Sequence, residues 1–296
     1  MSFKSLTLIS KLFIIPVALT IYACGTTENN TDQKEDTAAA NEVKEELQKV
    51  LTDVPEPSEM PYQLKATGAE FNPKLPNPSG SVEKYKTTNN KAALNLGVFA
   101  TDVGYVSVYE KVQEALDYID ATKTLGDKLG VSNAFDPQMR ERFENNLSSI
   151  DTLTKIIDEA LKQSDKYLKD NERNSIAAMI FTGSFVEGLY VSTQLVETYP
   201  KDLLPEEAKN EVLLSIVRLI TEQDKPLEDL INALKSLEKE EDVDKLISQL
   251  EELLKLYKEL NIKDLIEKNR GDLILTNETI QGITKKVKEI RSEIVG

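Results

Sequence analysis

Two acids stand where acids are costly. Between Lys91 and Glu110 the one charged residue is Asp102, within Leu94-Asn-Leu-Gly97-Val-Phe-Ala-Thr-Asp102-Val-Gly104-Tyr105-Val-Ser-Val-Tyr109. Between Arg173 and Glu197 it is Glu187, within Ile176-Ala-Ala-Met-Ile-Phe-Thr-Gly183-Ser184-Phe-Val-Glu187-Gly188-Leu-Tyr190-Val-Ser-Thr-Gln194. Helices apolar nearly all round are buried centrally. A carboxylate there must be paired, hydrogen-bonded or neutralised. Helical spacing puts Asp102 on one face with Tyr105 and Tyr109, and Glu187 on one face with Ser184, Tyr190 and Gln194.

The two acids admit three readings. In the first, they are satisfied inside a plain core by hydroxyls and amides. In the second, they face one another across a pocket that binds a cation or a small polar ligand. In the third, they are the acid and base of a carboxylate-based hydrolase or a metal-dependent enzyme. Gly97, Gly104, Gly183 and Gly188 each lower helix propensity by about 1 kcal/mol relative to Ala. Either they let helices pack closely or they leave room for a ligand.

Composition narrows the chemistry. The chain has no His and no Trp, and a single Cys. Without His there is no Ser-His-Asp or Cys-His catalysis, and the usual Zn, Cu and Fe ligand is missing. A two-carboxylate glycosidase is formally allowed, but such sites stack sugars on Trp. No Asp-x-Asp-x-Asp-Gly calcium loop occurs, and no cofactor is implied. A formal charge of −15 repels nucleic acid and anionic headgroups.

The elements that position the acids are helical. The pattern predicts an all-α, multi-helix bundle over 89–296, with no run alternating at period two. A first long helix is expected from Asn90 to about Ala121, with a break from Leu125 to Asn133. Asp136-Pro137 opens a helix through about Ser164. Others are expected from Asn171 to Glu197 and from Leu204-Pro205-Glu206-Glu207 to near Glu222. Apolar residues spaced by three and four from Leu227 to Tyr257, broken near Glu240-Glu241-Asp242, predict a coiled-coil-like helical hairpin. Glu278 to Ile294 is the last amphipathic helix. The stretch Ser175 to Val196 is long enough to span a membrane, but its polar content makes it a core helix.

Ahead of the bundle, Asn41 to Leu51 reads as a short amphipathic helix. Six of the eleven prolines fall between Pro55 and Pro78, which predicts an extended connector. Residues 24–88 are thus expected to be a tether and linker.

The first residues are cationic at Lys4 and Lys11, apolar from Leu12 to Ile21, and end in Ile21-Tyr22-Ala23-Cys24-Gly25. That is secretory grammar, with an apolar run too short to cross a bilayer. Ile21-Tyr22-Ala23-Cys24 resembles the lipobox of bacterial lipoproteins, although Tyr22 is bulkier than usual there. The resemblance implies cleavage of a 1–23 signal peptide, acylation of Cys24 and a stable lipid anchor. Gly25, rather than Asp, implies onward transport to the outer membrane, facing the periplasm or the cell surface. Asp36-Thr37-Ala38 resembles an O-glycosylation acceptor of some Gram-negative phyla, with Thr37 as the candidate residue. Leu94 to Tyr105, Asn171-Glu-Arg-Asn and Glu187-Gly-Leu-Tyr190 together resemble segments of an uncharacterised family of helical lipoproteins from Gram-negative bacteria, over roughly residues 90–197. That resemblance implies fold and address but no activity. The leading expectation is a non-enzymatic binding or scaffold module, anchored in the envelope, that engages a protein partner or a small polar ligand and no nucleic acid.

Overall fold

A computed structural model describes residues 59–131, 138–146, 149–170, 173–200, 203–237, 240–260, 268 and 277–296. Cys24, Thr37, the Asn41–Leu51 segment and Asp136-Pro137 lie outside them. The described residues form an all-α bundle of ten α-helices and one 3₁₀ helix, with no strand among them.

The core is built on α2 (Asn89–Val108) and α6 (Asn174–Glu197). Their sequences predict burial on every side, and nearly every side chain of both is buried. α6 is long and apolar enough to cross a membrane, but 89% of its most apolar window is buried inside the fold. Gly97 and Gly183 set the approach of the two helices. A Cβ on Gly97 would lie 2.0 Å from the Ile180 carbonyl oxygen, and one on Gly183 would lie 1.9 Å from that of Leu94. Close packing is therefore the use of these two glycines. Ser184 Oγ donates to Gly97 O (3.1 Å) and Thr101 Oγ1 to Ser184 O (3.3 Å), which ties the helices at the same point.

Three stretches differ from the sequence expectation. The helix expected from Asn90 to Ala121 is two helices, α2 and α3 (Val112–Leu129). Glu110 adopts φ 59°, Glu110 N–H donates to Ser107 O and Lys111 N–H to Val106 O. This is a Schellman motif with a non-glycine at its left-handed position. A second such motif ends α3 at Gly130 (φ 67°), with Val131 N–H donating to Gly126 O. Gly126 is thus inside the helix, and the break comes later than the pattern suggested.

The helix expected through Ser164 is also divided, into α4 (Met139–Glu144) and α5 (Ile150–Asp170). Asn146 Nδ2 donates to Arg142 O (2.6 Å), and Ser149 Oγ accepts from Thr152 N–H (3.4 Å). Short polar side chains here end one helix and cap the next.

The linker reading fails from residue 59 onward. Glu59–Ala66 is a helix, α1, whose Pro61 falls in the first turn, where no intrahelical donor is lost. Ser79–Thr87 is a 3₁₀ helix. Met60, Leu64, Ala69, Leu75 and Tyr85 of this stretch are buried in the common core.

The second half matches the pattern closely. α7 (Glu206–Thr221), α8 (Asp224–Lys235), α9 (Glu241–Glu259) and α10 (Glu278–Val295) complete the bundle. Lys258 pairs with Glu228 and Lys235 with Glu251, so α8 and α9 are an antiparallel hairpin. Lys286 pairs with Glu252 and Lys245 with Glu293, so α10 runs back along α9. Asn277 starts α10 by accepting from Thr279 and Ile280 N–H, both at 3.1 Å. At its far end, Ile294 O accepts from Asn95 Nδ2 (2.9 Å), and Val295 O from Lys84 Nζ (3.0 Å) and Tyr85 OH (3.1 Å). Orphan carbonyls of the last turn are thereby satisfied by the 3₁₀ helix and α2.

Candidate functional site

α2 and α6 bring Asp102 and Glu187 together. Leu94 lies at Gly183, Gly97 at Ser184, and the two carboxyls lie within hydrogen-bonding reach of one another. Both residues have no exposed surface. The expectation that these acids face one another is met in position.

Each acid is also engaged by a further protein group. Arg291, from α10, places Nε 3.0 Å from Glu187 Oε2 and Nη2 3.1 Å from Oε1, a bidentate clamp. Its guanidinium lies over the Tyr190 ring, 4.4 Å from the centroid, adding a cation–π contact. Asp102 Oδ2 accepts from the Asn77 N–H at 3.0 Å, while Asp102 Oδ1 accepts from no N–H or O–H among the described residues. Asn77 is itself held by Tyr85, to whose hydroxyl its amide donates at 3.0 Å.

Burial pushes the Asp102 carboxyl well above the usual carboxylate range, and the Glu187 charge pushes it further. Burial also raises Glu187, against the opposing pull of Arg291. Burial works against the charge on Arg291, but the attraction and hydrogen bonds of Glu187 outweigh it and raise that group. Tyr190 is raised, mainly by burial.

The other expected residues disperse. Tyr105 OH accepts from Asn72 N–H (2.9 Å) and is pushed up to about 12, chiefly by burial. Tyr109 OH donates to Ala69 O (2.7 Å), and burial raises it as well. These two rings close with Phe71 into an aromatic cluster with centroids 5.2–5.4 Å apart. They anchor residues 69–72 and give Asp102 no hydrogen bond. Ser184 serves the α2–α6 contact, and Gln194 Nε2 donates to Glu197 Oε2 (2.7 Å). Only Tyr190 stays with Glu187, through Arg291. The seven expected residues do not line one pocket.

Gly188 serves packing as well: a Cβ there would lie 2.9 Å from Met60 Sδ. A cleft of about 300 Å³ opens elsewhere, between the starts of α2 and α9 and the end of α10. Lys91, Asp242, Lys245 and Glu293 line it, and neither Asp102 nor Glu187 does. Among the described residues, no group of three or more acids or other ligand types is placed to hold a metal ion.

Arg291 and Asn77 are the partners that sequence reasoning missed. Arg291 lies four residues after Val287 and three before Ile294, on the buried stripe of α10. A cation on an apolar stripe was the signal to be found. Asn77 contributes a backbone N–H, for which no residue type gives a signal.

No family model matches the sequence, and neither a curated protein nor a solved structure matches it. The likeness drawn over residues 90–197 therefore rests on those residues alone.

Proposed function

We propose that this protein is an envelope lipoprotein, held to a membrane by an acylated Cys24, whose helical body is a non-enzymatic binding or scaffold module. The observation that carries the non-enzymatic part is the engagement of its two core acids. Both oxygens of Glu187 accept from Arg291, Asp102 accepts from the Asn77 amide, and neither acid has exposed surface. A general acid or base must reach a substrate proton, directly or through one water. Carboxyls closed on every side favour a structural role.

The anchor part is supported by the cationic, apolar and small-residue sequence ending at the only Cys of the chain. Gly25 supports an outer-membrane address. The test is metabolic labelling of the full chain with palmitate in a Gram-negative host. Label should enter the wild type and be absent from Cys24→Ala, which should move to the soluble fraction. Equal membrane retention of the two, with no label in either, overturns the anchor. Mass spectrometry of crosslinked, detergent-extracted protein then identifies what the body holds.

A further inference from the structure

The trio of Asp102, Glu187 and Arg291 carries one negative charge too many if both acids are ionised. Arg291 supplies one cation and is committed to Glu187 by two hydrogen bonds. Asp102, wholly buried, has one oxygen on the Asn77 N–H and another with no donor. The Asp102 carboxyl is also in hydrogen-bonding contact with the Glu187 carboxylate, itself an acceptor. Two acceptors in contact repel unless one bears a proton.

We propose that Asp102 stays protonated in the folded protein at neutral pH and donates its proton to Glu187, so that the trio is a proton-dependent latch holding α10 against α2 and α6. The 75–77 segment is part of the latch through the Asn77 amide. The titratable and charged groups around Asp102 are Glu187 and Tyr190 from α6, Arg291 from α10, Tyr118 from α3 and Tyr105 on its own helix. Arg291 is the one cation among them. Burial and the Glu187 charge hold Asp102 above its ordinary range, so the sign is fixed. The group's contribution to stability is fully present below the unfolded value of about 3.9 and is lost as pH rises through the folded value. Asp102→Asn removes this loss, because its amide can still donate to Glu187 and accept from Asn77.

The test is infrared spectroscopy of the full chain in deuterated buffer across pH 5 to 10, alongside thermal melts. A protonated-carboxyl stretch is expected at neutral pH, absent in Asp102→Asn, whose melting temperature is a few degrees higher and flatter above neutral pH. If that variant misfolds, hydrogen exchange on the wild type gives the same reading. Protection in α10 should then fall before that in α7 and α8 as the band disappears. Absence of the band at neutral pH overturns the latch. So does a melting temperature that tracks sodium or calcium, instead of pH, because a metal cation would then supply the missing charge.

Discussion

Arg291 reaches back 104 residues to Glu187 and grips both carboxylate oxygens from the buried face of the last described helix. With Glu187 wholly buried and the Arg291 side chain 12% exposed, the pair is largely withdrawn from water. Removing one member strands the other's charge in the core, and that penalty outweighs the net gain of forming the pair.

Arg291→Met should therefore destabilise the protein by about 3–5 kcal/mol, because it leaves the buried Glu187 carboxyl without its cation. Adding Glu187→Gln to that variant should recover a large part of the loss. Urea unfolding of the single and double variants measures both. A loss under about 1 kcal/mol for the single variant would show that water reaches Glu187.

The α2–α6 contact predicts a graded glycine series. Gly97→Ala and Gly183→Ala place a Cβ about 2 Å from a helix carbonyl oxygen, so backbone must move and roughly 3 kcal/mol or more should be lost. Gly188→Ala meets the flexible end of Met60 instead, and about 1 kcal/mol is expected. Gly282→Ala meets only Leu256 side-chain atoms at ordinary distance, 3.6 and 3.9 Å. It should stabilise α10 by about 0.5–1 kcal/mol. Calorimetric melting temperatures should rank the variants in that order, lowest first.

Glu110 holds a left-handed backbone without being glycine. Glu110→Gly should raise stability by about 0.5–1 kcal/mol, since a left-handed L-residue costs about 1–2 kcal/mol and glycine gives part of that back as unfolded-chain entropy. Gly130→Ala, at the second left-handed position, should lower stability by about 1–2 kcal/mol. A pair of opposite signs in thermal melts checks the assignment of both motifs.

The tyrosines give a pH prediction at the alkaline end. Tyr105, pushed up to about 12 mainly by burial, should ionise above the ordinary tyrosine value of about 10 in a spectrophotometric titration. A raised folded value means its contribution to stability is present below the unfolded value of about 10 and is lost as pH climbs to about 12. Tyr105→Phe, which gives up the Asn72 contact, should delay unfolding at high pH while costing about 1 kcal/mol at neutral pH.

Legibility of the fold tracks how local its causes are. α6, α7, the α8–α9 hairpin and α10 arise from apolar spacing and from Pro205 and Asn277 near their starts, all visible within a few residues. The break at Glu110 was hidden because glycine is the usual mark of a left-handed position and this one carries glutamate. The stretch 59–87 looked like a connector because its prolines exclude long regular helix. Its burial comes from scattered side chains, Met60, Leu64, Leu75 and Tyr85, with no period to betray them. At the site, isolated acids in apolar helices were enough to single out Asp102 and Glu187. Their partners arrive from residues 77 and 291, and such distant pairing leaves no mark in a window of one helix.

The ties that finish the core have a temporal consequence. Asn95 meets Ile294 across 199 residues and Lys84 meets Val295 across 211. A chain made from its N-terminus exposes α2 and α6 long before the residues that neutralise and cover them exist. Until α10 arrives, the most apolar part of the molecule carries a glutamate without its cation, so collapse of α2 on α6 ahead of α10 is penalised.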